Sequence, residues 1–375
     1  MRVVQLLTQS RGGPVDHAVD VAGELVRLGH ESHLLGPAGP HLDRARDQGV
    51  QVAQVDVRSK HDLTGARAVD GALTRLRPDV VHLQDRRAGL VGRAVALRRG
   101  LPSVYTLHGV PDPLAGLVPG NHDFLGLPRS ATRRARLDNL TLERLLARVR
   151  GSAVITPCEA LAGYARTHVG IPAARVRAVH NGVPATWLEP GRETSDMRRP
   201  GRVTALWLGV MQPVKRVPEL VAAAAGVEGL DLVLVGDGPE RGRVEAAVAA
   251  AGAGDRIRLL GYRDDPAPLV RTADLLVLPS AAEACPMVVL QAMACGIPVV
   301  ASRAGGIPEL IRDGVDGRLV ATADDTALRA ALAELAADPA LRERLGAAAR
   351  DRVAESFTVR RCTEGLVAAY TEVAR

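Results

Sequence analysis

Aromatic side chains are nearly missing from this 375-residue sequence, at 2% against 47% hydrophobic residues overall. The interior must therefore be filled by Ala, Val and Leu, which suits helices packed on parallel strands. Few aromatics also leave little for nucleobases to stack on, and the formal charge of +6, with a pI near 9.6, is scattered rather than clustered. Nucleic acid is thereby disfavoured as a partner, while phosphorylated small molecules suit the charge. Cysteine is equally sparse. Cys158, Cys285, Cys295 and Cys362 lie far apart and form no Cys-x-x-Cys pair, which argues against a zinc site or a disulfide scaffold and for reduced thiols in a cytoplasmic protein. No apolar run approaches the roughly 20 residues of a membrane-spanning helix. The opening MRVVQLLTQS lacks the basic, apolar and small-residue regions of a signal peptide.

What is present is a rhythm. Short Val/Leu/Ile runs (RVVQLLT, SHLLG, DVVHLQD, PSVYTL, AVITP, RVRAVHN) alternate with stretches of helical period such as Val15 to Leu28, with Gly29 placed to end that helix. The pattern breaks in the Pro-, Gly- and charge-rich stretch 184–202, where a linker is expected. It restarts with VTALWLG, DLVLVG, RIRLL, DLLVLP and IPVVA, and Glu240 to Ala251 reads as a helix. Length and rhythm together predict two α/β, doubly wound, Rossmann-like domains, residues 1–190 and 200–356. An amphipathic helix follows, with Leu366, Val367, Tyr370 and Val373 on one face.

Several strand ends carry residues suited to ligands. Gly12 and Gly13 permit close backbone approach, and Pro14 can open a helix whose free N–H groups attract anions. A tight turn with no ligand explains them equally well. Gly236-Asp237-Gly238 follows a strand, but Arg241 occupies the third-glycine place of a dinucleotide fingerprint, so hydride chemistry gains little support. The richest passage is SAAEACPMVVLQAMACGIPVVASRAGGIPELI, 280–311. It starts at the carboxyl end of a buried strand, the edge where open α/β sheets bind ligands. Glu283 lies in the turn, Pro286 suits the first helical position, and the N–H groups near Cys285, Met287 and Val288 face outward to bond hydroxyls or phosphate. Gln291 follows on the same helix.

This passage resembles the signature region of the retaining glycosyltransferases of family four, which have the GT-B fold. Glu283 occupies the place of the family's first signature glutamate and Gln291 replaces the second, while LQAMACGIPVVAS otherwise fits. The Gly12-Gly13 loop, TLHG around His108, HNGV at 180–183, GVMQPVK ending at Lys215 and the closing ESFTVRRCTEGLVAAY complete the likeness over nearly the whole chain. The resemblance implies transfer of a hexosyl or amino-sugar group from a nucleotide diphosphate sugar, UDP favoured, to a hydroxyl of a small acceptor in a cleft between the domains. It implies Lys215, with Gly12, Gly13, Gly209, Arg216, Gly261 and Tyr262, around the donor. Glu283 would hold the donor sugar, Gln291 the ribose diol, and His108 the sugar or nearby backbone; His108 and Asp16 face the acceptor. The closing helix, 357–375, would return to the first domain.

Val210 departs from the pattern, standing where the family has an arginine beside the pyrophosphate; Arg216 or Arg11 are the cations able to compensate. No Asp-x-Asp occurs, so no metal is expected. Asp16, Asp112 and Asp123 would favour a cationic acceptor such as an aminocyclitol, as in a bacterial natural-product (antibiotic) pathway. Two rival readings remain. The departures at Val210 and Gln291 suit a nucleotide-sugar-binding subunit with little catalysis. The stretch 128–150, where arginines alternate with Leu137, Leu140 and Leu145, suits a transferase working at a lipid surface.

Overall fold

The computed structural model describes residues 1–123, 140–191 and 196–375. They form two compact units. One holds Met1–Val118, residues 140–182 and Thr358–Arg375; the other holds residues 119–123, 183–191 and 196–357.

Among the described residues, the first unit is built on strands β1 (Arg2–Leu6), β2 (Glu31–Gly36), β3 (Gln51–Gln54), β4 (Val80–Leu83), β5 (Ser103–Thr106), β6 (Ser152–Thr156) and β7 (Val176–Ala178). All neighbours are parallel, in the order β3-β2-β1-β4-β5-β6-β7. The second unit repeats the scheme with β8 (Val203–Leu208), β9 (Leu230–Val235), β10 (Ile257–Gly261), β11 (Leu275–Leu278), β12 (Val299–Ser302) and β13 (Arg318–Val320), ordered β10-β9-β8-β11-β12-β13. Helices cover both faces of such sheets, so the central strands are buried throughout, as β4, β9 and β11 are. In each unit the winding reverses once, between β1 and β4 and between β8 and β11. Loops leaving the carboxyl ends of those strands border a topological switch point, where open α/β sheets place their ligands.

Helix Gly13–Arg27 begins as expected, with Gly12 at φ 101° before it and a proline in its first turn. Gly29, at φ 80°, lies just past its end. The closing helix Val359–Val373 belongs to the first unit. Its Leu366 and Tyr370 are fully buried against Val3, Val21, Val80, Val104 and Ile155. Each such burial contributes about 2 kcal/mol.

The chain leaves the first unit earlier than the composition of 184–202 suggests. Gly182 is the last residue of one unit and Val183 the first of the other. Two passages run side by side there, because the Val183 N–H donates to the Phe357 carbonyl (2.9 Å) and a β-carbon on Gly182 would lie 2.2 Å from the Thr358 carbonyl oxygen. The glycine of HNGV is thus required by backbone proximity. Charge in the supposed linker serves anchorage instead: Arg198 pairs with Asp274 at 2.6 Å, Arg202 pairs with buried Asp231, and Met197 is 2% exposed.

Candidate active site

Between β8 and the next helix, Val217–Ala225, the chain forms a loop closed by a short helical turn, Pro213–Lys215. This loop is held from below by β9's own loop. The Gly209 N–H donates to Val235, the Met211 N–H donates to the Asp237 carbonyl (2.9 Å), and the Met211 carbonyl accepts from Glu240. A β-carbon on Gly236 would lie 1.8 Å from the Gly209 carbonyl oxygen, and one on Gly238 would lie 2.5 Å from that of Met211. Gly236 and Gly238 therefore let two backbones touch, which accounts for the Gly-Asp-Gly run without a dinucleotide.

Lys215 at the end of this loop meets Glu283 in the loop after β11, Nζ to Oε1 at 2.6 Å. The carboxylate side chain is 8% exposed and the ammonium 22%, so the pair is sheltered but open on the lysine side. Two main-chain bonds fix the meeting. The Ala281 N–H donates to the Val214 carbonyl at 2.7 Å, tying the loops together, and the Glu283 N–H donates to Asn121 Oδ1 at 3.0 Å. Asn121 comes from residues 119–123, which pack with the second unit although they lie in the first third of the chain. The His122 N–H donates to the Ala281 carbonyl at 2.8 Å, and Gly305, at φ 49°, lets the Glu283 carbonyl approach.

Helix Met287–Ala294 follows directly. Pro286 is its N-cap residue, at ψ 120°, rather than its first helical residue as the sequence suggests. A proline has no N–H to orphan, so either place costs little. The cap makes no side-chain hydrogen bond, which leaves the first-turn N–H groups of Met287 and Val288 for a ligand. Cys285 and Met287 are buried, and Val288 and Gln291 half-buried.

The switch point thus brings together Gly209, Lys215, Glu283, Cys285, Pro286, Met287 and Val288, with Gln291 further along the same helix. Three other expected donor residues are engaged or displaced. Arg216, in the left-handed region at φ 52°, pairs with Asp325 at 3.0 Å instead of standing free beside the loop. Gly261 ends β10 and accepts the Gly236 N–H (2.8 Å), and Tyr262 beside it is 57% exposed. Val210 is 52% exposed on the loop itself.

Gly12, Gly13, Asp16 and His108 lie in the first unit. Gly12 and Gly13 start the helix after β1, and His108 follows β5. Asp16 pairs with Arg44 at 2.7 Å, so its charge is already countered. His108 Nε2 donates to Gln84 Oε1 (3.0 Å), and the ring stands edge-on to His17, ring centroids 5.1 Å apart. Burial first, then the neighbouring His17 and His82, hold His108 well below the usual imidazole value. It is neutral at physiological pH.

Of the basic stretch 128–150, residues 128–139 lie outside the described residues. Residues 140–146 are helical and tied down by Glu143, which forms a buried bidentate pair with Arg93, both bonds 2.7 Å. Leu140 is half-buried and Leu145 is 59% exposed. Asp112 opens a short helical turn and Asp123 is exposed. No described helix is long and apolar enough to cross a membrane.

Asn121 and Gly305 complete the Glu283 loop, yet neither is distinguished by local pattern, since Asn121 is 162 positions away from the amide it binds. The same holds for Gln84, whose role depends on a partner from another strand.

Comparison with known proteins adds to this geometry. The family described as Glycosyltransferase Family 4 matches residues 11–187, and that described as Glycosyl transferases group 1 matches residues 196–352. A D-inositol 3-phosphate glycosyltransferase of Geodermatophilus obscurus is 33% identical over 315 residues, 79% of this chain and 67% of that one. An alpha-maltose-1-phosphate synthase of Mycolicibacterium smegmatis is 30% identical over 91% of this chain and 96% of its own. An N-acetyl-alpha-D-glucosaminyl L-malate synthase of Bacillus anthracis is 36% identical, over only 43% of each chain. Among solved structures, Anabaena HepE in complex with UDP-glucose superposes with a TM-score of 0.82 at 20% identity, over 99% of this chain and all of that one. A sucrose-phosphate synthase of Thermosynechococcus elongatus gives 0.81 at 21%, over 100% and 99%. At such identities the likeness is one of fold.

Proposed function

Because the chain belongs to the family 4 glycosyltransferases, enzymes of GT-B fold, we propose that it moves a hexosyl or amino-sugar group from a UDP-sugar to a hydroxyl of a small acceptor, with retention at the anomeric carbon. The observation that carries the reading is the Lys215–Glu283 pair at the switch point of the second unit, beside an uncapped helix start.

A departing nucleoside diphosphate needs its growing negative charge stabilised, while the sugar develops positive charge. The Lys215 ammonium and the Met287 and Val288 N–H groups supply the first, in a sheltered place where such interactions are stronger than in water. The Glu283 carboxylate binds sugar hydroxyls and favours the cationic ring. Before the donor arrives the two charges hold each other in place, so the site is assembled before the ligand enters. Gln291 bonds the ribose as a neutral amide, giving up about 1 kcal/mol of charge assistance. No cation is assigned to replace the arginine missing at Val210, and chelators are expected to leave turnover unchanged because Lys215 takes the metal's role.

Names of relatives at 33% and 32% identity refer to an inositol phosphate, which supports a cyclitol acceptor. An aminocyclitol is the form the acidic residues of the first unit would favour, and the Arg44 partner of Asp16 weakens that preference. Cytoplasmic placement fits four cysteines that stand as thiols.

The test is a thermal-shift screen of UDP-, GDP-, ADP- and TDP-sugars followed by turnover measurements. Lys215→Ala and Glu283→Ala should each lower kcat/KM by roughly a hundredfold or more. Stabilisation and turnover untouched by both changes would overturn the assignment. Binding without Glu283-dependent turnover would favour the second reading, a nucleotide-sugar-binding subunit, which the exposed Val210 and the amide at Gln291 motivate.

A further inference from the structure

Beneath His108 a chain of buried polar side chains links two strands and the closing helix. Gln5 on β1 and His82 on β4 are partners in the parallel ladder, and Gln84 follows β4; all three are fully buried. Gln5 Nε2 donates to the Ala18 carbonyl (3.2 Å), Gln84 Nε2 donates to Gln5 Oε1 and lies 3.2 Å from His82 Nδ1, and Gln84 Oε1 faces His108 Nε2. His82 Nδ1 also meets the Tyr370 hydroxyl at 2.6 Å, and its Nε2 meets Thr106 Oγ1 at 2.7 Å.

We propose that Gln5 and Gln84 are positioning residues that fix the hydrogen-bond polarity of His108, so that its Nδ1 accepts a hydrogen bond from a hydroxyl of the carbohydrate ligand. The chemical class of that ligand rests on the function proposed above; the polarity does not. A backbone carbonyl can only accept. It therefore dictates that Gln5 turns its NH2 toward Ala18 and its oxygen toward Gln84. Gln84 must then turn its own NH2 toward Gln5 and His82, and its oxygen toward His108. The reverse orientation would set oxygen against oxygen at Ala18 beside fully buried side chains, where an unmet acceptor is costly. His82 accordingly keeps its lone pair at Nδ1, which accepts from the Tyr370 hydroxyl with the Gln84 NH2 sharing it at the longer 3.2 Å, and donates from Nε2 to Thr106. His108 is left with one arrangement: Nε2–H donates to Gln84, and Nδ1, which makes no hydrogen bond among the described residues, carries a lone pair. A half-buried neutral imidazole so oriented accepts a hydrogen bond from a hydroxyl and offers none to a phosphate oxygen.

The polarity is read directly by nitrogen-15 correlation spectra of the full-length protein, assigned with a His108→Gln comparator. The expected result is an Nε2-protonated His108 ring in the unsubstituted protein. An Nδ1-protonated ring there overturns the proposal whatever the enzyme transfers. Gln5→Met should leave His108 in mixed tautomers. Gln84→Glu, which keeps an acceptor for Nε2–H but adds charge, should keep the single tautomer while moving the acid limb of the pH profile upward.

The ligand is read by kinetics. UDP-glucose and its monodeoxy forms make one series; D-inositol 3-phosphate and its monodeoxy forms make the other. Loss of one hydroxyl should lower kcat/KM on the order of tenfold beyond the other positions, and Gln5→Met should abolish that preference. A loss in the first series places the hydroxyl on the donor, and one in the second places it on the acceptor. A preference absent from both, or unaltered in Gln5→Met, overturns the proposal. Failure of every nucleotide sugar to bind or turn over, with the Nε2–H spectrum intact, would instead overturn the function and the ligand class.

Discussion

At Gly305 an added β-carbon would lie 1.9 Å from the Glu283 carbonyl oxygen and 2.9 Å from Asn121 Oδ1, on a backbone at φ 49° that side chains rarely adopt. Gly305→Ala should therefore push the Glu283 loop out of register with Lys215. We expect a loss of about 1–3 kcal/mol in stability and about tenfold or more in kcat/KM, read by urea unfolding and by turnover. Normal turnover would show that the loop's position is set elsewhere. Lys215 and Glu283 were identifiable by resemblance alone; nothing in their spacing says that residues so distant in sequence meet. The supports of Glu283 were invisible for the same reason, since a lone asparagine or a second glycine in Gly305-Gly306 carries no periodic signal.

Among elements, the hydrophobic alternation located the central strands well, because strands buried on both faces read as unbroken Val/Leu runs. It passed over β3 and β13. The first is QVAQ, mostly exposed at a sheet edge, and the second only Arg318–Val320, so neither has enough apolar length to stand out. The described part of the stretch 128–150 shows how composition misleads: the arginines of the stretch suggest an anionic surface, while Glu143, the one buried charge in 140–150, decides where that part sits. Arg93 is 2% exposed, also donates to the Gly89 carbonyl at 2.7 Å, and lies 4.5 Å from the Tyr105 ring centre. Arg93→Met should cost about 3–5 kcal/mol by leaving Glu143 unpaired, and adding Glu143→Leu should recover much of it. Denaturant unfolding of the three variants checks this, and equal losses in single and double variants would contradict it.

For the whole molecule, pH dependence follows from buried imidazoles. Burial lowers His17 to about 4 and His82 to about 3 from their ordinary 6.5. Between those values and 6.5 the unfolded chain binds more protons than the native one, so stability is lost as the pH falls through that window. The loss is on the order of 3 kcal/mol for each ring. Asp20 opposes them. Burial first, then the charge of Asp16, pushes it up to about 7, so the native state binds more protons there and acid favours folding through this group. The histidines prevail, and the urea midpoint should drop between pH 7 and pH 4. In Asp20→Asn, with the opposing contribution removed, the drop should be larger; a smaller one would reverse the sign assigned to Asp20.

Residues 119–123 are spliced into the second unit from within the stretch of chain that builds the first. Engineers who exchange the two units between relatives would cut at Gly182/Val183, where the chain passes from one unit to the other. Such a hybrid inherits its glutamate from one parent and the asparagine that steadies it from the other. Exchanging specificity by this route therefore requires two grafts, with the short insert travelling alongside the half it serves.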